Sequence, residues 1–230
     1  MPALLNTVET PGSAAKPVAP KALERCELCE AFAIAASPVR ATLAAGAEIF
    51  RQGDRAGMVY RVLSGAAISY RLLNDGRRQV TEFHVAGDFL GLEAGLEYRT
   101  TADALGGATV AAVRRADLAR LAATDSGLAR ALWQMSVRAF HRSEDHAMIL
   151  ARQGATERVA AFLLDYADRV GADDIVDLPM TRQDMADHLG LTIHTVSRTL
   201  SQLQDQGLIE ARSSRHVRLL RRDLLERIRA

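Results

Sequence analysis

The stretch 181-TRQDMADHLGLTIHTVSRTLSQLQDQGLIE-210 reads as two helices separated by a tight turn. Thr181 stands three residues before Asp184, the spacing of an approximate capping box, which starts a first helix there. Ala186, Gly190 and Val196 fall at positions five, nine and fifteen of this unit. Each suits a steric role, with a small residue where helices approach, a glycine in the turn and a branched plug between the helices. Met185, Leu189, Leu191 and Leu200 supply the apolar faces. Thr192 caps the second helix and Gly207 ends it.

On the second helix Val196, Leu200 and Leu203 take the core side, leaving His194, Thr195, Ser197 and Arg198 on the exposed front turns. In a helix-turn-helix that front end enters the major groove of a duplex. Arg198 can bond guanine O6 and N7 together, worth roughly 1–3 kcal/mol against a wrong base. Ser197 can donate or accept at an adjacent base. His194, Ser197 and Arg198 are therefore the expected base readers. Thr181 and Arg182, at the start of the first helix, are placed for phosphate contact, as are Thr192 and Thr195 at the start of the second. Ser214, Arg215 and His216 join them from 213-SSR-215, the tip of a hairpin formed by 208-LIEAR-212 and 216-HVRLL-220. From Leu178 to Ala230 nine Arg face six acidic residues, a local balance of +3. A short helix from Asp223 closes the chain.

Working towards the N-terminus, acidic 171-GADDIVD-177 reads as a loop, and 156-TERVAAFLLDYADRV-170 as a helix with Val159, Phe162, Leu163 and Tyr166 on one side. Gly154 separates it from a longer helix. There Leu128, Leu132, Met135, Ala139, Arg142, His146 and Ile149 follow alternating steps of four and three, a coiled-coil-like spacing. The expectation is a homodimer seam in which Arg142 and His146 set the register. A helix packed on its own domain is the alternative.

Before this helix the pattern changes to short alternating runs, 58-MVYRVLSG-65, 67-AISYRLL-73 and 80-VTEFHV-85. Turn glycines fall at Gly53, Gly65, Gly76 and Gly87, and 74-NDG-76 marks a turn. Strands at this spacing suggest a small antiparallel jelly roll continuing through 101-TADALGGATVAAVRR-115. The expected fold is α+β in four parts. Residues 1–25 are a Pro-containing disordered arm, 26–124 a double-stranded β-roll, 125–153 a long dimerisation helix and 154–230 a winged helix-turn-helix.

The chain has 230 residues, 48% hydrophobic and 25% charged, the balance of an ordinary globular protein. A net charge of +1 does not announce a polyanion partner, although a local basic face is compatible with it. Arg outnumbers Lys by 27 to 2, so no single Arg is evidence by itself. No apolar run approaches the roughly 20 residues a membrane span needs. The first residues lack the pattern of a signal peptide, so a cytoplasmic location is the default. The two cysteines, Cys26 and Cys29, are too few for a secreted disulfide framework.

The chain resembles the CRP/FNR family of dimeric bacterial transcription regulators over roughly residues 40 to 220. The strongest segments are 181-TRQDMADHLGLTIHTVSRTLSQLQDQGLI-209 and 53-GDRAGMVYRVLSGAAISY-70, and 87-GDFLGLEAGLEYRTTADAL-105 is similar to FixK-type members. The resemblance implies that a homodimer reads a TTGAT-like inverted repeat of duplex DNA and touches RNA polymerase as an activator in low-oxygen gene circuits. It also marks a departure. FNR and FixK relatives commonly carry Glu where this chain has His194. A Glu accepts from cytosine N4, whereas a neutral His accepts through one nitrogen or donates through the other.

Three sensing chemistries follow from the resemblance. Relatives that bind a cyclic nucleotide use a Gly-Glu pair and a later Arg; here Leu92 follows Gly91, and Arg99 comes sooner than that pattern requires. An iron–sulfur cluster takes four thiolates. 25-RCELCEAFAIAA-36 retains Cys26 and Cys29 but has Ala35 where the next ligand would fall, which excludes a complete cluster within one subunit. Cys26 and Cys29 remain a candidate redox pair. His84, His141 and His146 are scattered, and nothing else supports haem. The expectation is a regulator without cofactor, metal or catalytic residues. The alternative is a regulator gated by a ligand in the roll or by oxidation of Cys26 and Cys29. An enzyme is disfavoured, because the cysteine pair follows no βαβ strand and no catalytic partner is evident.

Overall fold

The computed structural model describes residues 39–213 and 215–229. Cys26, Cys29, Ala35, the expected N-terminal arm and Ser214 lie outside the described residues. The N-terminal half is an antiparallel roll of β1 (Val39–Leu43), β2 (Glu48–Phe50), β3 (Met58–Leu72), β4 (Arg78–Val85), β5 (Phe89–Leu90) and β6 (Thr101–Arg114). The order is β1-β6-β3-β4, with β2 pairing β6 and β5 pairing β3.

The two runs flanking Gly65 form one strand of 15 residues instead of two strands with a turn. At Gly65 the chain bends without reversing, and its register against β6 shifts between Val62 and Ser64 and again between Ser64 and Ala66. Gly65 has φ +74°, and a Cβ there would collide with the Gly107 carbonyl and lie 2.9 Å from Ala108 Cα. The two paired backbones come so close at this point that there is no room for a side chain. Inside the roll Phe50 stacks on Tyr98 at 4.0 Å and on Tyr60 at 5.7 Å.

A short helix that the pattern did not announce, α1 (Arg115–Ala122), leads into α2 (Ser126–Ala151). Asp125 starts α2 by accepting a hydrogen bond from the Leu128 amide at 3.1 Å. Gly154 then N-caps α3 (Ala155–Val170), the helix at the centre of the molecule. Val159 to Leu164, Tyr166 and Ala167 are all buried, more than the single apolar side expected. The cause is that α3 has neighbours on several sides. Ile68, Val80 and Phe83 of the roll share one core with α3 and with residues of the C-terminal helices.

Several of the α2 residues expected at the seam lie against the same chain, as in the alternative of a helix packed on its own domain. Leu128 and Met135 are buried against Val59, Ala111, Val113 and Leu118 of the same chain, with Leu132 partly buried beside them. Ala139 lies in the crevice between α2 and the roll. Arg142 bonds Glu82 of β4 at 2.6 Å, His146 stacks on His188, and Ile149 enters the shared core. A four-three spacing reports an apolar helix face without saying whose surface covers it.

The C-terminal part contains β7 (Ile175–Asp177), α4 (Arg182–Leu189), α5 (Ile193–Asp205), β8 (Ile209–Ala211), β9 (His216–Leu219) and α6 (Arg222–Arg229). The expected acidic loop contributes β7, because Val176 is buried and pairs with Val217 of β9. The wing sheet therefore has three strands, ordered β7-β9-β8.

Candidate nucleic-acid interface

The helix pair α4–α5 is built by local chemistry. Thr181 Oγ1 accepts from the Asp184 amide at 3.1 Å, and Asp184 Oδ2 accepts from the Thr181 amide at 2.8 Å, a complete capping box. Gly190 ends α4 at φ +62°, the left-handed conformation that lets the chain turn at once into α5. Thr192 caps α5 by accepting from the Thr195 amide at 3.1 Å. Ala186, Val196, Leu189 and Leu203 are fully enclosed between the two helices and α3. Those burials hold α5 firmly and turn its other side outward.

That outer side carries His194 and Arg198, both exposed, with Ser197 half-buried between them. Gln202, one turn beyond Arg198, is exposed on the same helix and was not singled out from the sequence. The spacing of four from Arg198 is the signal that would have found it. Of the expected phosphate contacts, Thr181 is exposed at the start of α4. Arg182 is half-buried, and its Nη1 lies out of solvent without a protein partner. The hydroxyls of Thr192 and Thr195 lie 2.9 Å apart and bond each other. Arg215 is exposed on the wing. His216 is engaged locally, with Nδ1 2.9 Å from Ser213 Oγ and Nε2 3.7 Å from Asp177. Ser213 Oγ also accepts from the amides of Arg215 and His216, so the wing tip is knotted by its own side chains.

The helix pair, its glycine turn and a three-stranded wing on a β-roll match known proteins. Residues 157–228 match the Crp-like helix-turn-helix domain and residues 40–125 the cyclic nucleotide-binding domain. The nitrogen fixation regulation protein FixK of Azorhizobium caulinodans is 43% identical over 85% of this chain and 81% of that protein. The chain belongs to the CRP/FNR family. Its FixK-like character extends to the FixK of Rhizobium meliloti, 40% identical over 80% of this chain and 84% of the relative. The structure of FixK2 from Bradyrhizobium japonicum superposes with a TM-score of 0.80 at 40% identity, covering 84% of this chain and 98% of that one. Within the CRP/FNR family, then, this is a FixK-type transcription regulator with a DNA-binding helix-turn-helix, and relatives such as FixK are regulators rather than enzymes. Among the described residues no helix is long and apolar enough to cross a membrane.

The first helix of the pair also has partners that the sequence did not disclose. Arg78 of β4 pairs with Asp184 and with Asp187, the latter at 2.8 Å. His188 sits 5.0 Å from Phe83 and 5.6 Å from Phe162, and its Nδ1 donates to the Val80 carbonyl at 3.2 Å. Arg169 of α3 reaches Asp88 at 3.0 Å and the Phe83 carbonyl at 2.8 Å. These pairs join residues far apart in the chain, and nothing local in the sequence marks them.

Proposed function

We propose that the chain works in the cytoplasm as a homodimeric activator, each protomer inserting the front of α5 into one half of a TTGAT-like inverted repeat. Arg198 and Ser197 read bases, and His194 occupies the position where the relatives' Glu gives way to a different donor–acceptor pattern. RNA polymerase is the protein partner, and the setting is a low-oxygen circuit of the FixK type. One observation carries this: His194 and Arg198 are exposed on the outer side of a helix whose Val196, Leu200 and Leu203 are buried behind them.

The pairing proposed here uses the exposed face of α2. Trp133 is 70% exposed, Phe140 61% and Met148 64%, and they lie on the side of α2 away from the roll. Large apolar side chains on one exposed helix face favour a partner helix. Two-fold pairing there presents two copies of α5, as an inverted repeat requires.

Cyclic nucleotide and a complete iron–sulfur cluster have no part in this function. In the roll, Phe50, Tyr60 and Tyr98 occupy the interior. Leu92 stands in place of the ribose-binding carboxylate. Glu93, one residue later, accepts instead from the Arg99 amide at 3.0 Å. These residues do not fit a cyclic nucleotide. Selection of operators from randomised duplexes by the purified protein tests the function. An inverted repeat should emerge from the parent, and Arg198→Ala should relax it at one position per half-site; recovery of unrelated sequences by the parent overturns it.

A further inference from the structure

The roll grips the first helix of the DNA-binding pair through several contacts, and the charged one is made by Arg78. Its guanidinium lies 5.2 Å above the Tyr70 ring, and the Tyr70 hydroxyl donates to Asp103 at 2.9 Å. The Asp103 carboxylate thus holds the ring, and the ring backs the arginine from the roll side. From the other side, Nε donates to Asp187 Oδ2 at 2.9 Å and Nη2 bonds Asp184 Oδ1. Asp184 is the carboxylate whose second oxygen accepts from the amide and the hydroxyl of Thr181, at 2.8 and 2.7 Å. One buried carboxylate therefore links the roll's arginine to the first residues of α4.

We infer that Arg78 is a positioning residue for operator recognition. It acts through Asp184 and Asp187 to hold α4, and with it α5, at the angle that engages the operator. The inference rests on the DNA reading proposed above.

Two features support a positioning role over direct phosphate contact. The Arg78 side chain is 29% exposed, and both carboxylates are more buried still. Charge-assisted pairs of this geometry are short, directional and sensitive to loss of either partner. Arg78 also offsets two acidic groups on α4 that would otherwise repel an approaching phosphate. A second contact flanks it, Gln79 Nε2 donating to the His188 carbonyl at 3.4 Å. The hairpin end of β4 therefore meets α4 along its length.

The test uses the full chain and the operator recovered by selection. Arg78→Ala, Asp187→Asn and the double variant are measured for operator affinity, and Arg78→Lys for rescue. The active fraction is fixed by stoichiometric titration, and amide exchange over α4 is followed alongside. Asp187→Asn leaves the capping box intact, so it probes the grip without removing the helix start. Each single variant should bind the operator about tenfold more weakly, equivalent to about 1.4 kcal/mol. The double variant should be no weaker than Arg78→Ala, and Arg78→Lys should recover part of the loss. Exchange over α4 should rise in the single variants. If Arg78→Ala binds like the parent, the inference falls while operator recognition stands. If Asp187→Asn binds more tightly and the effects add, Arg78 touches phosphate directly and the inference is wrong. A loss confined to the active fraction, with unchanged affinity of the folded part, makes Arg78 a stabilising residue and likewise overturns it.

Discussion

The imidazole rings of His146 and His188 lie 3.9 Å apart and 4° from parallel. His146 comes from α2 and His188 from α4, and His146 Nε2 donates to the His188 carbonyl at 2.8 Å. Their surroundings include Thr81 and Glu82 of β4, Arg142 and Asp145 of α2, and Asp165 and Arg169 of α3, around a cavity of about 120 Å³. Burial first, then the neighbouring His146 and the Arg169 charge, push the His188 pKa down to about 3. His188 cannot take up a proton here without placing positive charge in a buried site against the His146 ring.

That relationship sets a pH dependence. His188 stays neutral in the fold, whereas in the unfolded chain it takes up a proton as pH falls below about 6.5. Between about 6.5 and 3 the unfolded chain binds more protons than the folded one, so stability is full above pH 6.5 and declines towards pH 3. The midpoint of thermal unfolding should fall from pH 7 to pH 5. His188→Gln should lower the midpoint at pH 7 and flatten that slope. An equal slope in both proteins refutes the role given to His188.

The face of α2 that carries Trp133 and Phe140 should decide assembly. Phe140→Glu is expected to shift the dimer to monomer in analytical ultracentrifugation and to weaken operator binding at least tenfold, while circular dichroism stays native. The contrasting variant Met135→Glu buries a charge in the cluster that holds Val59 and Leu128. It should cost several kcal/mol of protomer stability, on the order of 3–5 kcal/mol. A dimeric Phe140→Glu protein locates the dimer contact elsewhere.

Base reading separates His194 from Arg198. Arg198→Ala should cost roughly 1–3 kcal/mol per half-site in operator binding and relax selection at one position. His194→Glu should exchange the preferred base at one position per half-site while affinity for the new site stays within about tenfold of the parent's. Identical selected operators for parent and His194→Glu would remove His194 from base recognition.

The close approach at Gly65 makes a backbone prediction. Gly65→Ala places a Cβ into the Gly107 carbonyl at positive φ, and should destabilise the roll by at least about 2 kcal/mol in denaturant unfolding. Gly76→Ala, at positive φ in an open turn with no atom within 4 Å, should cost less. Equal losses would mean that conformation rather than collision sets the cost.

What was legible in the sequence was local. The Thr181–Asp184 box, the Gly190 turn and the Thr192 cap are written within four residues of the atoms they bond, so α4 and α5 could be drawn to their ends. The same holds for the hairpin at 208–220. Gly65 differs because a glycine that permits close approach of two paired strands looks, in one dimension, like a glycine that permits a turn. The α2 spacing announces an apolar face but not what it meets within the protomer: Met135 shares a buried cluster with Val59, 76 positions earlier in the chain. The grip of Arg78 on Asp184 spans 106 positions, and neither residue differs in type from many others in an arginine-rich chain.

Because Ile68 and Phe83 are packed with Phe162 and Leu163 in one continuous interior, cutting the chain near Gly154 would strip oily surface from both pieces. A fragment holding the C-terminal half alone should therefore clump unless Phe83's former contacts are replaced by polar residues. Chimaeras exchanging roll and DNA-reading halves between relatives would need to carry β4 across with α3 and α4, since inheritance of the joint, rather than of either half, should decide whether such hybrids fold.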